Sequence, residues 1–270
     1  MLTVHHLNNS RSQRILWLLE ELNCEYQVQR YQRDPRTLLA PPQLRAIHPL
    51  GKSPVITDAA RTVAESGAII EYLIDNYGAG RLRPAPGSEE RLRYNYWLHY
   101  AEGSAMPPLL LKLVFQRLPQ GPLPALLRPL VRAIASRAQS GFVDPQLLTH
   151  ISWWDSELGR DPWFAGREFT AADIQMSFPL EAAAARAGMP LGANVQGFLA
   201  RIRARPAYGR ALAAGGPFEL LGASPATPTA PRRGVAHRRQ WQRRLRSATL
   251  RAPAVTKPCA HGPHLLKGSP

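Results

Sequence analysis

Two short segments of the chain carry side chains that could hold an anion at the start of a helix. Residues 9–14 (Asn-Ser-Arg-Ser-Gln-Arg) place hydroxyl and amide donors where the first predicted helix begins, and residues 65–66 (Glu-Ser) lie where a predicted strand meets another helix. Free backbone N–H groups and the positive end of a helix dipole favour negative charge at such positions. Both segments therefore predict a site for an anionic group.

A third segment, Ser53-Pro54, precedes a short predicted strand. A bond that precedes proline adopts the cis form at a cost of only about 0.5 to 1 kcal/mol. A loop that faces a ligand can therefore retain a cis peptide bond here. The alternative is an ordinary trans proline that opens an edge strand.

The elements that must position these segments follow from hydrophobic spacing. Leu2 and Val4 alternate with polar neighbours, as in a strand, and residues 11–22 have helical periodicity. A second strand is predicted near residues 26–28, two short strands at 54–57 and 62–64, and a helix after Glu65 with Ser66 as its cap. The predicted order is β-α-β-(α)-β-β-α within residues 1–80.

The rest of the chain predicts helices and then disorder. Residues 78–88 contain three Gly and two Pro, and residues 81–88 are predicted to be a linker. Residues 89–221 show helical patterns near 89–103, 109–118, 122–140 and 145–159, separated by Pro and Gly. A capping box is predicted at Thr170 and Asp173. Residues 222–270 contain seven prolines and no acidic residue, so we predict a disordered Arg- and Pro-rich tail.

Taken in order, residues 9–14, 51–55, 65–67 and 205–208 resemble the corresponding segments of the cytosolic glutathione transferase superfamily, most closely its serine-containing bacterial and fungal branch. The resemblance covers about residues 1–220. It implies an α/β thioredoxin-like N-terminal domain followed by an all-α helical-bundle domain. It also implies glutathione as co-substrate, with no metal.

The resemblance assigns glutathione-binding roles to five residues. In the family a cis proline, here Pro54, turns the backbone of the preceding residue, here Ser53, toward the cysteinyl part of glutathione. Lys52 would supply a charge to the glycine carboxylate, although a solvated loop lysine is nearly as good an interpretation. Ser66 would meet the γ-glutamyl carboxylate, and Glu65 would face its ammonium group.

The chemistry of the family requires a thiolate, whereas a free thiol has a pKa near 8.5 and is mostly protonated at neutral pH. A hydroxyl at the start of the first helix can stabilise that anion, and Ser10 is the predicted donor. Serine-using classes place the hydroxyl four or five residues ahead of an arginine such as Arg14, which selects Ser10 or Asn9 and leaves Ser12 as the remaining hydroxyl. Simple helix capping by Ser10 is the other interpretation.

The predicted function is that of a glutathione transferase, which activates the glutathione thiolate for attack on a hydrophobic electrophile or on a peroxide, as in detoxification enzymes. Its alternatives are a glutathione-dependent isomerase, dehalogenase or ether-cleaving enzyme, or a non-catalytic binding or regulatory protein of the same fold. Tyr100, Met106 and Phe115 are candidates for an electrophile pocket between the domains, although core packing is the commoner role for such residues. By analogy we expect a homodimer.

The net charge of +15 would suggest a polyanionic partner, but the tail supplies ten of those charges. Arginine pairs around Trp241 could contact nucleic acid or an anionic membrane, yet an accidental extension explains the tail better. Only two cysteines are present, Cys24 and Cys259, which implies neither a disulfide framework nor a metal cluster. The N-terminus does not read as a signal peptide, so we expect a cytoplasmic protein.

Overall fold

Leu2 and Val4 form the buried centre of a four-stranded sheet in the computed structural model, which describes residues 1–34, 37, 39–122, 124–216, 218 and 220. The strands are β1 (Leu2–Leu7), β2 (Gln27–Tyr31), β3 (Val55–Asp58) and β4 (Arg61–Ala64), in the order β2-β1-β3-β4. β1 is parallel to β2 and antiparallel to β3, and β3 pairs antiparallel with β4. The predicted tail at 222–270 lies outside the described residues.

Three helices accompany this sheet. α1 (Ser12–Leu22) connects the parallel strands β1 and β2, because parallel neighbours require a crossover. α2 (Pro42–Ile47) lies in the proline-punctuated connection, and α3 (Ser66–Tyr77) follows β4. The resulting order, β-α-β-α-β-β-α, confirms the predicted thioredoxin-like fold.

Residues 78–88 lead into a part of the chain in which every regular element longer than five residues is an α-helix, as predicted. The helices are α4 (Glu89–Tyr100), α5 (Met106–Arg117), α6 (Arg128–Ala138), α7 (Asp144–Arg160), α8 (Ala171–Arg186), α9 (Ala193–Arg203) and α10 (Pro206–Gly215). α1 contacts α8 and α10, and one hydrophobic core includes Trp17 of α1 together with Trp97 and Trp154 of the helical part. The two parts therefore share a core.

The predicted interruptions between helices are wrong at two places. The chain stays helical from α4 to α5 through a π-helical turn, Ala101–Ala105, and from α6 to α7 through another, Gln139–Val143. A wider turn relieves the clash that a proline ring makes with the carbonyl four residues earlier, and Pro107 and Pro145 follow these turns. α6 also begins at Arg128, later than the predicted residue 122.

The capping box at the start of α8 is present as predicted. The Asp173 carboxylate accepts hydrogen bonds from the backbone N–H of Phe164 and of Thr170, each at 2.8 Å, and from the Thr170 hydroxyl at 3.1 Å. Burial raises the pKa of Asp173 to about 6 although these hydrogen bonds favour its charged form. The box therefore stabilises a buried helix start at the centre of the helical part.

A second buried carboxyl group, Glu181 of α8, predicts a pH dependence of stability. It accepts a hydrogen bond from the Tyr208 hydroxyl of α10, and burial raises its pKa to about 7. Because the folded protein holds this proton more tightly than the unfolded chain, the contribution of Glu181 to the free energy of unfolding is largest below about pH 4.5 and is lost as pH rises through about 7. The loss between pH 5 and pH 8 is about 2 to 3 kcal/mol.

Urea unfolding of the wild type and Glu181→Gln at pH 5 and pH 8 checks this expectation. The glutamine keeps an acceptor for Tyr208 but cannot ionise. The wild type should lose stability relative to the variant on going to pH 8. An equal difference between the two proteins at both pH values would show that Glu181 is not the titrating group.

Candidate functional site

The loop before β3 and the start of α1 bring two predicted segments together. The Ser53-Pro54 peptide bond is cis, as expected, and the Ser53 hydroxyl donates to the His5 carbonyl of β1 at 3.2 Å. Ser10 Oγ lies 3.3 Å from Ser53 Oγ. Gly51 turns the loop at φ +56°, where a β carbon would meet the Arg45 side chain at 2.6 Å. The backbone thus positions Ser53 beside Ser10.

A cavity of about 210 Å³ opens between this loop and the start of α3, and we name it the first cavity. It brings Lys52, Ser53 and Pro54 together with Glu65 and Ser66, which are the five predicted glutathione-binding residues. Its other lining residues are Arg11, His48, Leu50, Ala64 and Glu102. The described elements therefore assemble around one space two groups of predicted binding residues, 52–54 and 65–66, that are separated by ten residues in sequence.

Glu65 occupies an unusual backbone conformation at the junction of β4 and α3. Its φ and ψ are 72° and 128°, which a non-glycine residue adopts at a cost of about 1 to 3 kcal/mol. Glu65 is the N-cap residue of α3, so the prediction that Ser66 caps this helix is wrong: Ser66 is its first helical residue. No side chain in the described part caps this end, which leaves the first backbone N–H groups of α3 available to a ligand anion.

Arg14 fixes the hydroxyl of Ser66. Its guanidinium donates to Ser66 Oγ at 2.9 Å and to the Gln175 carbonyl at 2.6 Å, and it pairs with the Glu102 carboxylate. Arginine can only donate, so Ser66 Oγ acts as the acceptor and its own hydrogen remains available for a ligand oxygen. The Arg14 side chain is 1% exposed, so this contact is shielded from solvent.

Glu102 adds a carboxylate to the first cavity from the π-helical turn after α4. Burial raises the pKa of Glu102, but the charges and hydrogen bonds of Arg14 and Arg11 outweigh it and hold the pKa below its usual value. Arg11 Nε lies 2.9 Å from Glu102 Oε1. The group is therefore ionised at neutral pH and can attract a ligand ammonium group.

A chain of polar contacts leads from Ser53, which lines the first cavity, through the hydroxyl groups of Ser10 and Ser12 to His6. Ser10 Oγ lies 2.7 Å from Ser12 Oγ, which lies 2.9 Å from Nδ1 of His6. Burial and, to a smaller extent, the charge of Arg30 lower the pKa of His6 to about 4. A hydrogen bond to the backbone at Gly215 raises this pKa but does not offset the two other effects. His6 is thus neutral at neutral pH and offers an uncharged partner to Ser12.

The structure separates Ser12 from the other two candidates for the thiolate donor. Ser12 is fully buried and its hydroxyl is held between Ser10 and His6. Ser10 and Asn9 both line a second cavity, described next, and Asn9 has a φ of +50°. Ser10 also accepts from the Ser12 N–H at 3.3 Å, so it does contribute to the start of α1.

The second cavity, of about 380 Å³, adjoins the first, and the two share Arg11, Leu50, Lys52 and Ser53. Its other lining residues are Leu7, Asn9, Ser10, Arg33, Leu39, Ala40, Arg45, Gly51, Met106, Leu110, Leu113, Phe178 and Arg186. A space of this size admits a small organic molecule. Ser10 therefore lies beside a space for a second ligand.

Only one of the three predicted electrophile-pocket residues lines this cavity. Met106 does, at the start of α5. Tyr100 instead lies in the core, where its hydroxyl pairs with His150 and accepts from Trp154 Nε1 at 3.0 Å. Phe115 packs against the core. Helical spacing does not show which side of a helix meets the cavity, which is why these two assignments are wrong.

Sequence reasoning missed Arg14 and Glu102 as parts of the site. In the sequence analysis, Arg14 was only the reference position that selected Ser10 or Asn9 as the thiolate donor. Glu102 belongs to a turn that the sequence predicts as an ordinary helix end. A buried arginine needs an acidic partner, and that requirement is the one signal that could have prompted a search for it. His48, set aside in the sequence, lines the first cavity, and its Nδ1 is a buried atom without a hydrogen-bond partner.

Among the described residues, no helix is long and apolar enough to cross a membrane. Within the same residues, no three His, Cys, Asp or Glu side chains lie close enough together to hold a metal ion.

Comparison with known proteins identifies the family. Residues 10–76 match the family model described as the N-terminal domain of glutathione S-transferase. Glutathione S-transferase 3 of Schizosaccharomyces pombe is 38% identical over 184 residues, which cover 68% of this chain and 74% of that protein. Glutathione S-transferase 1 of Saccharomyces cerevisiae is 31% identical over 190 residues, covering 68% and 81%.

A solved structure agrees in both sequence and fold. The crystal structure of a glutathione S-transferase from Actinobacillus pleuropneumoniae superposes with a TM-score of 0.66 and 32% identity, covering 82% of this chain and 95% of that one. The matched region contains both the sheet and the helical part. The chain belongs to the glutathione transferase family.

Proposed function

We propose that the protein conjugates glutathione to a hydrophobic electrophile, with Ser10 stabilising the glutathione thiolate. The observation that carries the proposal is the position of Ser10, whose hydroxyl lies 3.3 Å from Ser53 Oγ and lines the space beside the first cavity. A hydrogen bond from a hydroxyl to a charged sulfur is stronger than one between neutral groups. Such a bond lowers the pKa of the thiol and raises the thiolate fraction at neutral pH.

The first cavity would hold glutathione in an extended form. Ser66 and the free N–H groups of α3 would bind the γ-glutamyl carboxylate, while the carboxylates of Glu65 and Glu102 would face the ammonium group. The backbone of Ser53, fixed by cis Pro54, would pair with the cysteinyl part. Lys52 would then lie near the glycine carboxylate.

The reaction needs no metal in this proposal. The thiolate sulfur forms a bond to the electrophilic carbon, and the bond to the leaving group breaks with its electron pair. The proton lost from the thiol goes to solvent. Because the thiolate is the nucleophile, the protein's contribution is to stabilise that anion and to hold both substrates within reach.

Glutathione-dependent turnover of 1-chloro-2,4-dinitrobenzene, followed by absorbance, tests the proposal. We expect turnover above the uncatalysed rate, and Lys52→Ala should raise KM for glutathione about three- to tenfold with a smaller change in kcat, because an exposed charge contributes about 1 kcal/mol. Arg137→Ala, which removes an exposed charge on α6, is the control.

Retention on immobilised glutathione without turnover of any electrophile would instead favour the non-catalytic binding protein. A protein that neither binds immobilised glutathione nor turns over an electrophile would contradict the proposed site.

We also propose a homodimer in which the thioredoxin-like part of one subunit contacts the helical part of the other. Leu92 and Tyr96 lie one turn apart on α4 and are 64% and 48% exposed, an apolar pair that a subunit interface would cover.

Two further expectations, a cytoplasmic location and a role in detoxification, remain predictions.

A further inference from the structure

α6 and the residues just before it carry large apolar side chains that the described part of the protein leaves exposed. They are Leu126, Leu127, Leu130 and Ile134, and Leu126 is 89% exposed. The spacing i, i+3 and i+7 places Leu127, Leu130 and Ile134 on one side of the helix. Within α6 only Ala135 is buried. Single exposed leucines are ordinary, whereas four such side chains within nine residues form a patch that a partner is expected to cover.

α6 is also basic, and its charge is not compensated nearby. Arg128, Arg132 and Arg137 are exposed, and none of them forms an ion pair with another described residue. Residues 103–143 contain no Asp or Glu. α5 and the short turns on either side of α6, which make most of its contacts, all lie within that range. The elements around α6 therefore supply no carboxylate to its arginines.

The apolar and basic side chains are arranged around α6 in a regular way. Because each residue advances an α-helix by about 100°, Arg128 and Arg132 lie on the side away from Leu130 and Ile134. Arg137 follows Ile134 by three residues and lies beside the apolar patch. A helix with one apolar side and arginines around it is typical of segments that lie in the plane of a membrane interface.

A second copy of the chain is a poor partner for this patch. In a two-fold dimer the patch would meet the same patch of the other subunit, so the arginines of α6 would approach one another with no carboxylate between them. An anionic phospholipid surface suits both kinds of side chain. Its phosphates attract arginines, whose long stems reach them, while the boundary between headgroups and acyl chains accepts leucine and isoleucine.

We propose that α6 docks on an anionic phospholipid surface and lies parallel to it. Leu126, Leu130 and Ile134 enter the boundary between headgroups and acyl chains, and the arginines of α6 hold lipid phosphates. α5, which lines the second cavity with Met106 and Leu113, packs against α6. Docking would therefore hold that cavity close to the apolar compounds that dissolve in membranes. The inference does not depend on the catalytic proposal.

Sedimentation of the full chain with vesicles tests the proposal. Vesicles of phosphatidylcholine and phosphatidylglycerol in equal parts are compared with vesicles of phosphatidylcholine alone. We expect the partition coefficient to be at least about tenfold higher on the anionic vesicles and to fall as salt is added. Leu130→Gln, which keeps a good helix former, should lower it about three- to tenfold, whereas Leu148→Gln on the exposed side of α7 should not. Absence of binding to anionic vesicles would overturn the inference.

Matched charge substitutions separate α6 from the rest of the chain. Arg132→Gln combined with Arg137→Gln should lower binding to anionic vesicles at least about fivefold. Arg61→Gln combined with Arg167→Gln removes the same charge from exposed positions elsewhere and should have a much smaller effect. Residues 222–270, with their ten basic side chains, are present in every variant. Equal binding in the α6 variants and their controls would assign the binding to another part of the chain and overturn the inference.

Measurements without lipid exclude the other occupant of the patch. The subunit mass in analytical ultracentrifugation should be the same for Leu130→Gln and the wild type, with folding checked by circular dichroism. A smaller assembly in Leu130→Gln would show that the patch is a subunit contact and would overturn the inference. Absence of glutathione-dependent turnover in a protein that binds anionic vesicles through α6 would contradict the catalytic proposal alone.

Discussion

Replacing Ser10 with alanine is expected to lower kcat/KM for glutathione conjugation by roughly 10- to 100-fold near neutral pH. A hydrogen bond to a charged group contributes about 1.5 to 3 kcal/mol, and each 1.36 kcal/mol is a factor of ten in rate. The loss should shrink at pH values above the thiol pKa, where glutathione ionises without help. Steady-state kinetics between pH 6 and pH 9.5 measures both effects.

Two neighbouring substitutions serve as controls for Ser10→Ala. Asn9→Gly removes the other cavity-lining donor while keeping a residue that tolerates the φ of +50°. Ser12→Ala removes the fully buried hydroxyl that pairs with His6 and should cost stability more than turnover. A larger loss of turnover in either control than in Ser10→Ala would reassign the thiolate donor.

Arg14→Met is expected to destabilise the protein by about 2 to 4 kcal/mol and to weaken glutathione binding by about tenfold. The methionine fills much of the space but leaves Ser66 Oγ and the Gln175 carbonyl without their buried donor, and unsatisfied buried groups are costly. Ser66 would also lose the contact that orients its hydroxyl. Urea unfolding measures the first effect, and calorimetric titration with glutathione measures the second.

Arg210→Met is the matched control for Arg14→Met. Arg210 pairs with Glu20 at 2.6 Å, but its side chain is 53% exposed, so the pair is expected to contribute less than about 1 kcal/mol. Equal stability losses in the two variants would show that Arg14 is not a buried anchor. A destabilised Arg14→Met with unchanged glutathione affinity would separate Arg14 from the proposed site.

The sheet and the first helix were predictable because their signals are local. The alternation of Leu2 and Val4 and the helical spacing of residues 11–22 are each visible within one element. The cis bond at Ser53-Pro54 was predictable only through the family resemblance, since proline alone permits both isomers. The capping box at Thr170 and Asp173 was readable because its two residues lie three positions apart.

The rest of the site depends on contacts between distant elements. Nothing local in the sequence places Glu102 against Arg11 and Arg14, which lie about 90 residues earlier. The π-helical turn that presents Glu102 was missed because Gly103 and Pro107 normally signal a break, whereas the packed helical part keeps the chain helical there. Tyr100 was wrongly assigned to the electrophile pocket because tertiary contacts, and not the spacing of apolar residues, decide which side of α4 is buried.

The pKa of the glutathione thiol on the protein tests the central claim most directly. Thiolate absorbance in the ultraviolet, titrated for the complex with wild type and with Ser10→Ala, reports that value without turnover or an electrophile. The account predicts a pKa clearly below the value of about 8.5 for a free thiol in the wild-type complex, and a higher pKa with Ser10→Ala. A bound thiol that titrates like free glutathione in the wild type, or equally in both proteins, would contradict it.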